Sequence, residues 1–263
     1  MTSLGRKLPY FLIIGAQKCG TSSLFYYLKQ HPQLALPSKK EIHYFDLNYQ
    51  NGLNWYKSFF PFKFTNRKSG EASPYYLFHP HVPKRVQEVC PKVRLIVMLR
   101  NPVDRAYSHY QMLRKLEIEP ISSFEMAIEQ ENNRMEGQLE HFNQNPHYKS
   151  MEYRMFSYLS RGKYTHQIKH WLQFFSIDQF LFIKSETFFS SPNQELRRVY
   201  DFLEIKQLYP KDLRPKKKGT YQDMNPQTRN ELDQYFSQEN ESLRGLLGNT
   251  SVSYTHLTLP TKA

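Results

Sequence analysis

The chain has 263 residues, 39% hydrophobic and 23% charged, which is enough to bury one substantial α/β core and too apolar for a disordered chain. Lysine and arginine number 36 against 24 acidic residues, so the formal charge is +12 and the partners are expected to be anionic: nucleic acid, nucleotide, sulfated sugar or membrane surface. Two cysteines, Cys19 and Cys90, exclude a disulfide framework, and no apolar run approaches the ~20 residues that span a bilayer, so a cytoplasmic protein with free thiols is expected.

The first apolar run, residues 10–14, is rich in Ile, Leu and Phe without clean alternation, as in a strand buried on both faces. A loop, Gly15-Ala-Gln-Lys-Cys-Gly-Thr21, follows it. Next comes a helix over 22–30, where Leu24, Tyr27 and Leu28 recur at helical spacing until His31-Pro32 stops the pattern. In the segment Lys40-Glu-Ile-His-Tyr-Phe-Asp46, an extended backbone puts Glu41 and His43 on one face. A second strand is predicted over 93–99, and Arg100-Asn101-Pro102 then opens a helix through about 115, with proline in the first turn. Ile168, Trp171, Leu172 and Phe175 form one stripe of a helix over 165–175; a third strand at 179–183 and a helix over 194–203 follow. This alternation predicts an α/β fold with a mostly parallel central sheet and helices on both faces. Residues 1–249 read as a single domain, and 250–263, which has no periodicity, reads as a non-native or disordered tail.

A loop between a buried strand and a helix N-terminus suits phosphate, because unpaired backbone N–H groups and the helix dipole converge there. Gly15 and Gly20 match the P-loop pattern G-x-x-x-x-G-K-[ST], but Thr21 stands where the lysine belongs. The lysine sits instead inside the loop, at Lys18, where it can neutralise charge on a phosphate oxygen as a bond to it breaks. A cysteine phosphatase would need arginine six positions after Cys19, and that position is Phe25. Arg100 at the strand end and Ser108 on the next helix form a second anion site at the carboxyl edge of the sheet. Two anion sites suit a nucleotide with two separated phosphates.

Four segments, taken in order, resemble one family: Ile13-Ile-Gly-Ala-Gln-Lys-Cys-Gly-Thr-Ser22, Lys40-Glu-Ile-His-Tyr-Phe-Asp46, Leu99-Arg-Asn-Pro-Val-Asp-Arg-Ala-Tyr-Ser108 and Lys217-Lys-Gly-Thr220. The chain is similar to the sulfotransferases that use 3'-phosphoadenosine 5'-phosphosulfate (PAPS), and within them to the heparan sulfate N- and 3-O-sulfotransferase branch with its small bacterial relatives. The resemblance implies a P-loop-like PAPS-binding sulfotransferase fold and transfer of a sulfuryl group from PAPS to a hydroxyl or amine by in-line displacement. Gln17, Lys18, Cys19, Gly20, Thr21 and Ser22 would hold the 5'-phosphosulfate, Arg100 and Ser108 the 3'-phosphate, and Lys218, Gly219 and Thr220 would close over the cofactor. Glu41 would be the general base, made basic by partial desolvation or by a hydrogen bond from the substrate, with His43 tuning or replacing it. On composition alone Glu41 is a solvated carboxylate in a Lys-Lys-Glu run, and only the family pattern raises it above that.

The acceptor, a small molecule or saccharide, a lipid headgroup or a carrier-bound alcohol, would approach between Glu41, His43, Tyr75 and the Arg161-Gly-Lys-Tyr164 segment, with Tyr75 and Tyr164 as contacts. In Glu71-Ala-Ser-Pro-Tyr75 the heparan enzymes usually carry lysine at the second position, and Ala72 stands there here, which disfavours heparan-like acceptors. His79 and His81 with His43 and Asp46 lack a metal-ligand spacing, so no metal is expected. The expected partners include neither nucleic acid nor a membrane span, and no oligomeric state is read from the sequence. Two rival classes remain: a P-loop small-molecule kinase, which should bind ATP with Mg²⁺, and a noncatalytic anion- or nucleic-acid-binding module, which should bind with steep salt dependence.

Overall fold

The computed structural model describes residues 5–216 and 222–248. Five strands form one sheet: β1 (Phe11–Gly15), β2 (Leu34–Ala35), β3 (Lys68–Ala72), β4 (Arg94–Leu99) and β5 (Phe180–Lys184), in the spatial order β2-β3-β1-β4-β5. Every pairing in it is parallel. β1 is buried along its length and β4 at all but its first residue, which requires packed layers on both faces and accounts for their unbroken apolar runs. The chain passes from β1 to β2 and β3 on one side, then returns past β1 to β4 and β5 on the other. Strand order therefore reverses at β1, and in open α/β sheets the crevice beyond the carboxyl ends at such a reversal is where ligands bind.

The three predicted strands lie within one residue of their expected places. Helix α1 (Thr21–Lys29) follows the loop, and Pro102–Lys115 forms the helix after β4. Asn101 caps that helix by accepting hydrogen bonds from the N–H groups of Val103 and Asp104 at 2.9 and 3.2 Å, and Pro102 supplies the preset φ of its first turn. The helix expected over 165–175 is Tyr164–Leu172. It ends early because the N–H groups of Gln173 and Phe174 turn to carbonyls three residues back. The helix expected from 194 begins at Pro192.

Strands β2 and β3 carry no apolar run. β3 reads Lys-Ser-Gly-Glu-Ala, yet four of its five residues are buried. Side-chain hydrogen bonds compensate its polar groups: the Ser69 hydroxyl donates to the Leu8 carbonyl, and hydroxyls from Tyr56, Tyr76 and Ser73 surround the Glu71 carboxylate.

One apolar cluster fills the sheet faces, reaching from Phe11 and Leu24 to Trp171 and Leu203. A second, around Val103, Tyr110, Phe124 and Tyr158, seats the helix Pro102–Lys115. Among the described residues no helix is long and apolar enough to cross a membrane. The predicted basic loop with Lys218, Gly219 and Thr220 and the tail 250–263 lie outside the described residues.

Candidate active site

The carboxyl ends of β1 and β4 open onto a cavity of about 520 Å³, lined on one side by Gln17, Lys18, Gly20, Thr21 and Ser22 and on the other by Arg100 and Ser108. The loop is shaped before any ligand arrives. The Ala16 N–H donates to the Met98 carbonyl at 2.6 Å, tying the end of β1 to β4, and the Cys19 N–H donates back to Ala16 at 3.2 Å. Gly20 enters α1 at φ 93°, and a Cβ there would meet Phe189 at 3.0 Å and Met98 at 3.2 Å, so glycine is required. No side chain caps α1, which leaves its first-turn N–H groups to whatever enters the cavity.

Of the loop residues expected to bind the donor, Gln17, Lys18, Gly20, Thr21 and Ser22 line the cavity, whereas the Cys19 side chain does not. Cys19 is fully buried, burial pushes its thiol up to about 11, and Sγ lies 3.8 Å from the Tyr164 hydroxyl, so position 19 has only its backbone to offer a ligand. Tyr164 is a second correction. It was expected to face the acceptor, but its buried hydroxyl donates to the Arg100 carbonyl at 3.0 Å, and it borders neither cavity described here. It braces the end of β4 against the phosphate loop instead.

A smaller cavity of about 160 Å³ adjoins the first, and Gln17, Glu41 and Met112 border both. Glu41, His43, Tyr75 and Arg161 meet in it. The segment before α2 (Tyr44–Leu47) is not the expected strand: His43 takes a left-handed conformation at φ 57° and ψ 40° and sits at the N-terminus of that helix. Its ring nevertheless reaches Glu41, Nε2 lying 3.0 Å from Oε2, while Nδ1 lies 2.7 Å from Asp46 Oδ2. Asp46 is buried and also accepts the Leu47 N–H at 2.6 Å. Lys40 adds a contact at 3.2 Å to the other Glu41 oxygen.

These contacts set the charges. Burial lowers the His43 pKa, but hydrogen bonds and charge from Asp46 and Glu41 outweigh it and raise the ring to about 9. For Glu41, burial favours the neutral acid, but the His43 hydrogen bond and the Lys40 charge prevail and hold the carboxyl at about 2. This is opposite to the direction expected for a desolvated base, because the partners that bury Glu41 are cations. At neutral pH the array therefore holds Glu41 as a carboxylate and His43 as an imidazolium.

The wall facing it is largely apolar, formed by Tyr75, Met112, Leu113, Leu116, Ile118 and Met155. Arg161 is buried and engaged: it donates to Gln17 Oε1 at 2.5 Å and to Ser157 Oγ at 2.7 Å, and lies 4.8 Å from the centre of the Tyr75 ring. Burial lifts the Tyr75 phenol far above the neutral range, so it stays protonated.

Sequence reasoning passed over several groups. Lys216 lines the larger cavity because its N–H donates to Ser23 Oγ at 2.9 Å and Tyr27 holds the Leu213 carbonyl at 2.6 Å. Arg105 is fully buried behind the loop and adds positive field there, which no surface-charge pattern could reveal. Glu186 and Phe189, just beyond β5, complete the rim of the cavity.

A protein-family model described as a sulfotransferase domain matches residues 8–245. The chain is 29% identical to the membrane-associated sulfotransferase kil1 of Dictyostelium discoideum over 91% of this chain and 65% of that protein. It is 34% identical to human heparan sulfate glucosamine 3-O-sulfotransferase 6 over 77% of this chain and 54% of the relative, so it spans about half to two-thirds of these curated relatives. A sulfotransferase structure from Alicyclobacillus acidocaldarius superposes with a TM-score of 0.74 at 32% identity, covering 92% of this chain and 96% of the other. A mouse sulfotransferase complexed with PAP, at 15% identity and a TM-score of 0.53 over 88% and 84% of the two chains, shares the fold. With the match running through the phosphate loop, the Glu41 segment and the Arg100 wall, the chain belongs to the sulfotransferase family.

Proposed function

We propose that the protein transfers a sulfuryl group from PAPS to a hydroxyl or amine of an acceptor held in the smaller cavity. The observation that carries this reading is the shared border: Glu41 belongs at once to a cavity built on the phosphate loop, with Lys18, Arg100 and Lys216 in its wall, and to a separate cavity that opens beside it. The donor side fits a nucleotide with two phosphate groups. Lys18 and the first-turn N–H groups of α1 would hold the 5' end, while Arg100 and Ser108 would hold the 3'-phosphate. Phe189, 42% exposed on the rim, offers an aromatic face to a base.

Glu41 acts as the base in this scheme, because His43 is already protonated and cannot accept a proton. A carboxylate with so low a pKa suffices when proton removal is late: the acceptor oxygen becomes strongly acidic only as its bond to sulfur forms. The acceptor proton passes to Glu41, the bond from sulfur to the phosphate oxygen breaks, and Lys18 meets the charge left on that oxygen. His43 and Asp46 hold Glu41 in place through this change. The apolar wall opposite Glu41 suits an acceptor whose hydroxyl or amine is carried on an uncharged alkyl, aryl or sugar framework, with Arg154 the further cation on that side. Two buried free thiols accord with a cytoplasmic setting.

Isothermal titration with PAP in the absence of metal, with AMP and ATP as comparisons, tests the reading. The expected result is binding that requires the 3'-phosphate and weakens about 10- to 100-fold in Arg100→Ala, the loss of a charge-assisted contact. Binding of ATP alone, dependent on Mg²⁺, would replace this reading with a kinase.

A further inference from the structure

Glu71 is 1% exposed, on β3 beside the central strand β1, and what surrounds its carboxylate is a set of hydroxyls. Tyr56 and Tyr76 donate to Oε1 at 2.9 and 2.8 Å, and Ser73 donates to Oε2 at 2.8 Å. Above about pH 7, where Glu71 is ionised, its carboxylate only accepts, so each of these hydroxyls must point its proton at Glu71 and turn its lone pairs outward. Two of the outward-facing oxygens are used at once. Ser73 Oγ accepts the His43 N–H at 3.2 Å, and the Tyr76 hydroxyl accepts the N–H groups of Tyr44 and Phe45 at 2.9 and 3.4 Å. Those are the leading N–H groups of α2, the four-residue helix that carries Asp46.

His43 needs such support. A non-glycine residue at φ 57° persists only where its surroundings fix it, and a helix of one turn has little stability of its own. We propose, on the basis of the sulfotransferase reading above, that Glu71 is a positioning residue for catalysis: it sets the direction of the hydroxyl chain that holds His43, and through His43 the base Glu41. It touches neither donor nor acceptor, and it lines neither cavity. A glutamine in its place turns one acceptor oxygen into an NH2 group, whose two N–H donors face hydroxyls that are already donating. Either the tyrosine hydroxyls or the Ser73 hydroxyl must then reverse, and an N–H at the head of α2 loses its acceptor. Burial pushes the Glu71 carboxyl up to about 7 against the pull of the three hydroxyls, and Asp46 and the Cys90 thiol are the other titratable groups near enough to feel its charge.

The test uses Glu71→Gln and Ser73→Ala, each examined by melting temperature, PAP titration, steady-state kinetics and NMR titration of the His43 imidazole. Ser73→Ala keeps the carboxylate and removes the acceptor of the His43 N–H together with one of the three hydroxyls that donate to Glu71, so it decides the matter if Glu71→Gln does not fold. The expected result is PAP affinity within about twofold of the parent, an unchanged KM for PAPS, kcat lowered at least about tenfold, and a His43 titration moved down from about 9. A merely structural role would lower the melting temperature and leave the His43 titration and the kcat of the folded fraction where they were, and that outcome overturns the proposal. The imidazole titration is read with neither donor nor acceptor present. If the parent protein bound no PAP, the sulfotransferase reading would fall, and the placement of His43 by Glu71 would still be decided.

Discussion

The two cavities that meet at Glu41 are built by opposite means. The larger is built around the first-turn N–H groups of α1, which no side chain caps, the loop carrying Lys18, and Arg100 at the end of β4, with the Arg105 charge buried behind. In the smaller, ionised groups are matched before a ligand arrives, with Glu41 on His43 and Lys40, His43 on Asp46, and Arg161 held by Gln17 and Ser157. The first arrangement attracts an anion and holds it. The second gives a proton acceptor a fixed place and a fixed charge, leaving an apolar wall to receive the rest of the acceptor molecule. On the proposed reading, donor affinity and catalytic proton transfer reside in separable sets of side chains, although the two sets share a border.

Substitution at that border breaks the comparison most severely. Glu41→Gln is expected to lower kcat by about 10²- to 10⁴-fold, the usual worth of a positioned general base, while PAP affinity by calorimetry stays within about twofold. An equal loss of PAP affinity would mean that Glu41 serves the donor site and that the two sets are one. On the other side, Lys18→Ala removes the cation placed to meet charge on the leaving phosphate. It is expected to reduce kcat/KM for PAPS by about 10- to 100-fold, the scale of one charge-assisted hydrogen bond. The His43 imidazole titration, which reports on the acceptor side alone, should not move in this variant, and a shift there would tie the two regions together electrostatically.

The strand, loop and helix start that build the larger cavity were legible in the sequence because their signals are local. A buried apolar strand, a glycine loop with Lys18 inside it, and a helix start leave marks within a dozen residues, and Asn101-Pro102 marks the second helix in the same way. The smaller cavity was legible only through family resemblance, and then only in part. Glu41 and His43 were named, but the backbone that brings them together is a left-handed turn rather than the extended strand expected. β3 escaped notice because its buried face carries Ser69 and Glu71, whose compensation comes from Leu8, Tyr56 and Tyr76, far from them or unmarked in sequence. Tyr164 was placed on the wrong side of the loop for a related reason: a tyrosine beside a basic segment reads as a surface contact, and nothing local announces that its hydroxyl is committed to the Arg100 carbonyl.

The smallest effect is also the most specific to the matched charges. His43 titrates at about 9 in the folded chain against an ordinary 6.5, so its ion pairs contribute stability that is complete below about 6.5 and lost as the pH rises through about 9. Glu41 works in the other direction: held at about 2 against an ordinary 4.5, it contributes stability above about 4.5 that is lost as the pH falls through about 2. The array is therefore most stabilising between those ranges, from about 4.5 to about 6.5. Between pH 6 and pH 10 the melting temperature should fall by an amount on the order of a few degrees from this source, and His43→Gln should flatten that part of the profile while leaving PAP affinity unchanged. An equally steep profile in His43→Gln would place the titrating group elsewhere. The imidazolium would then no longer be the reason that Glu41 stays ionised, and Lys40, 3.2 Å away, would be the cation left to hold the base in its working state.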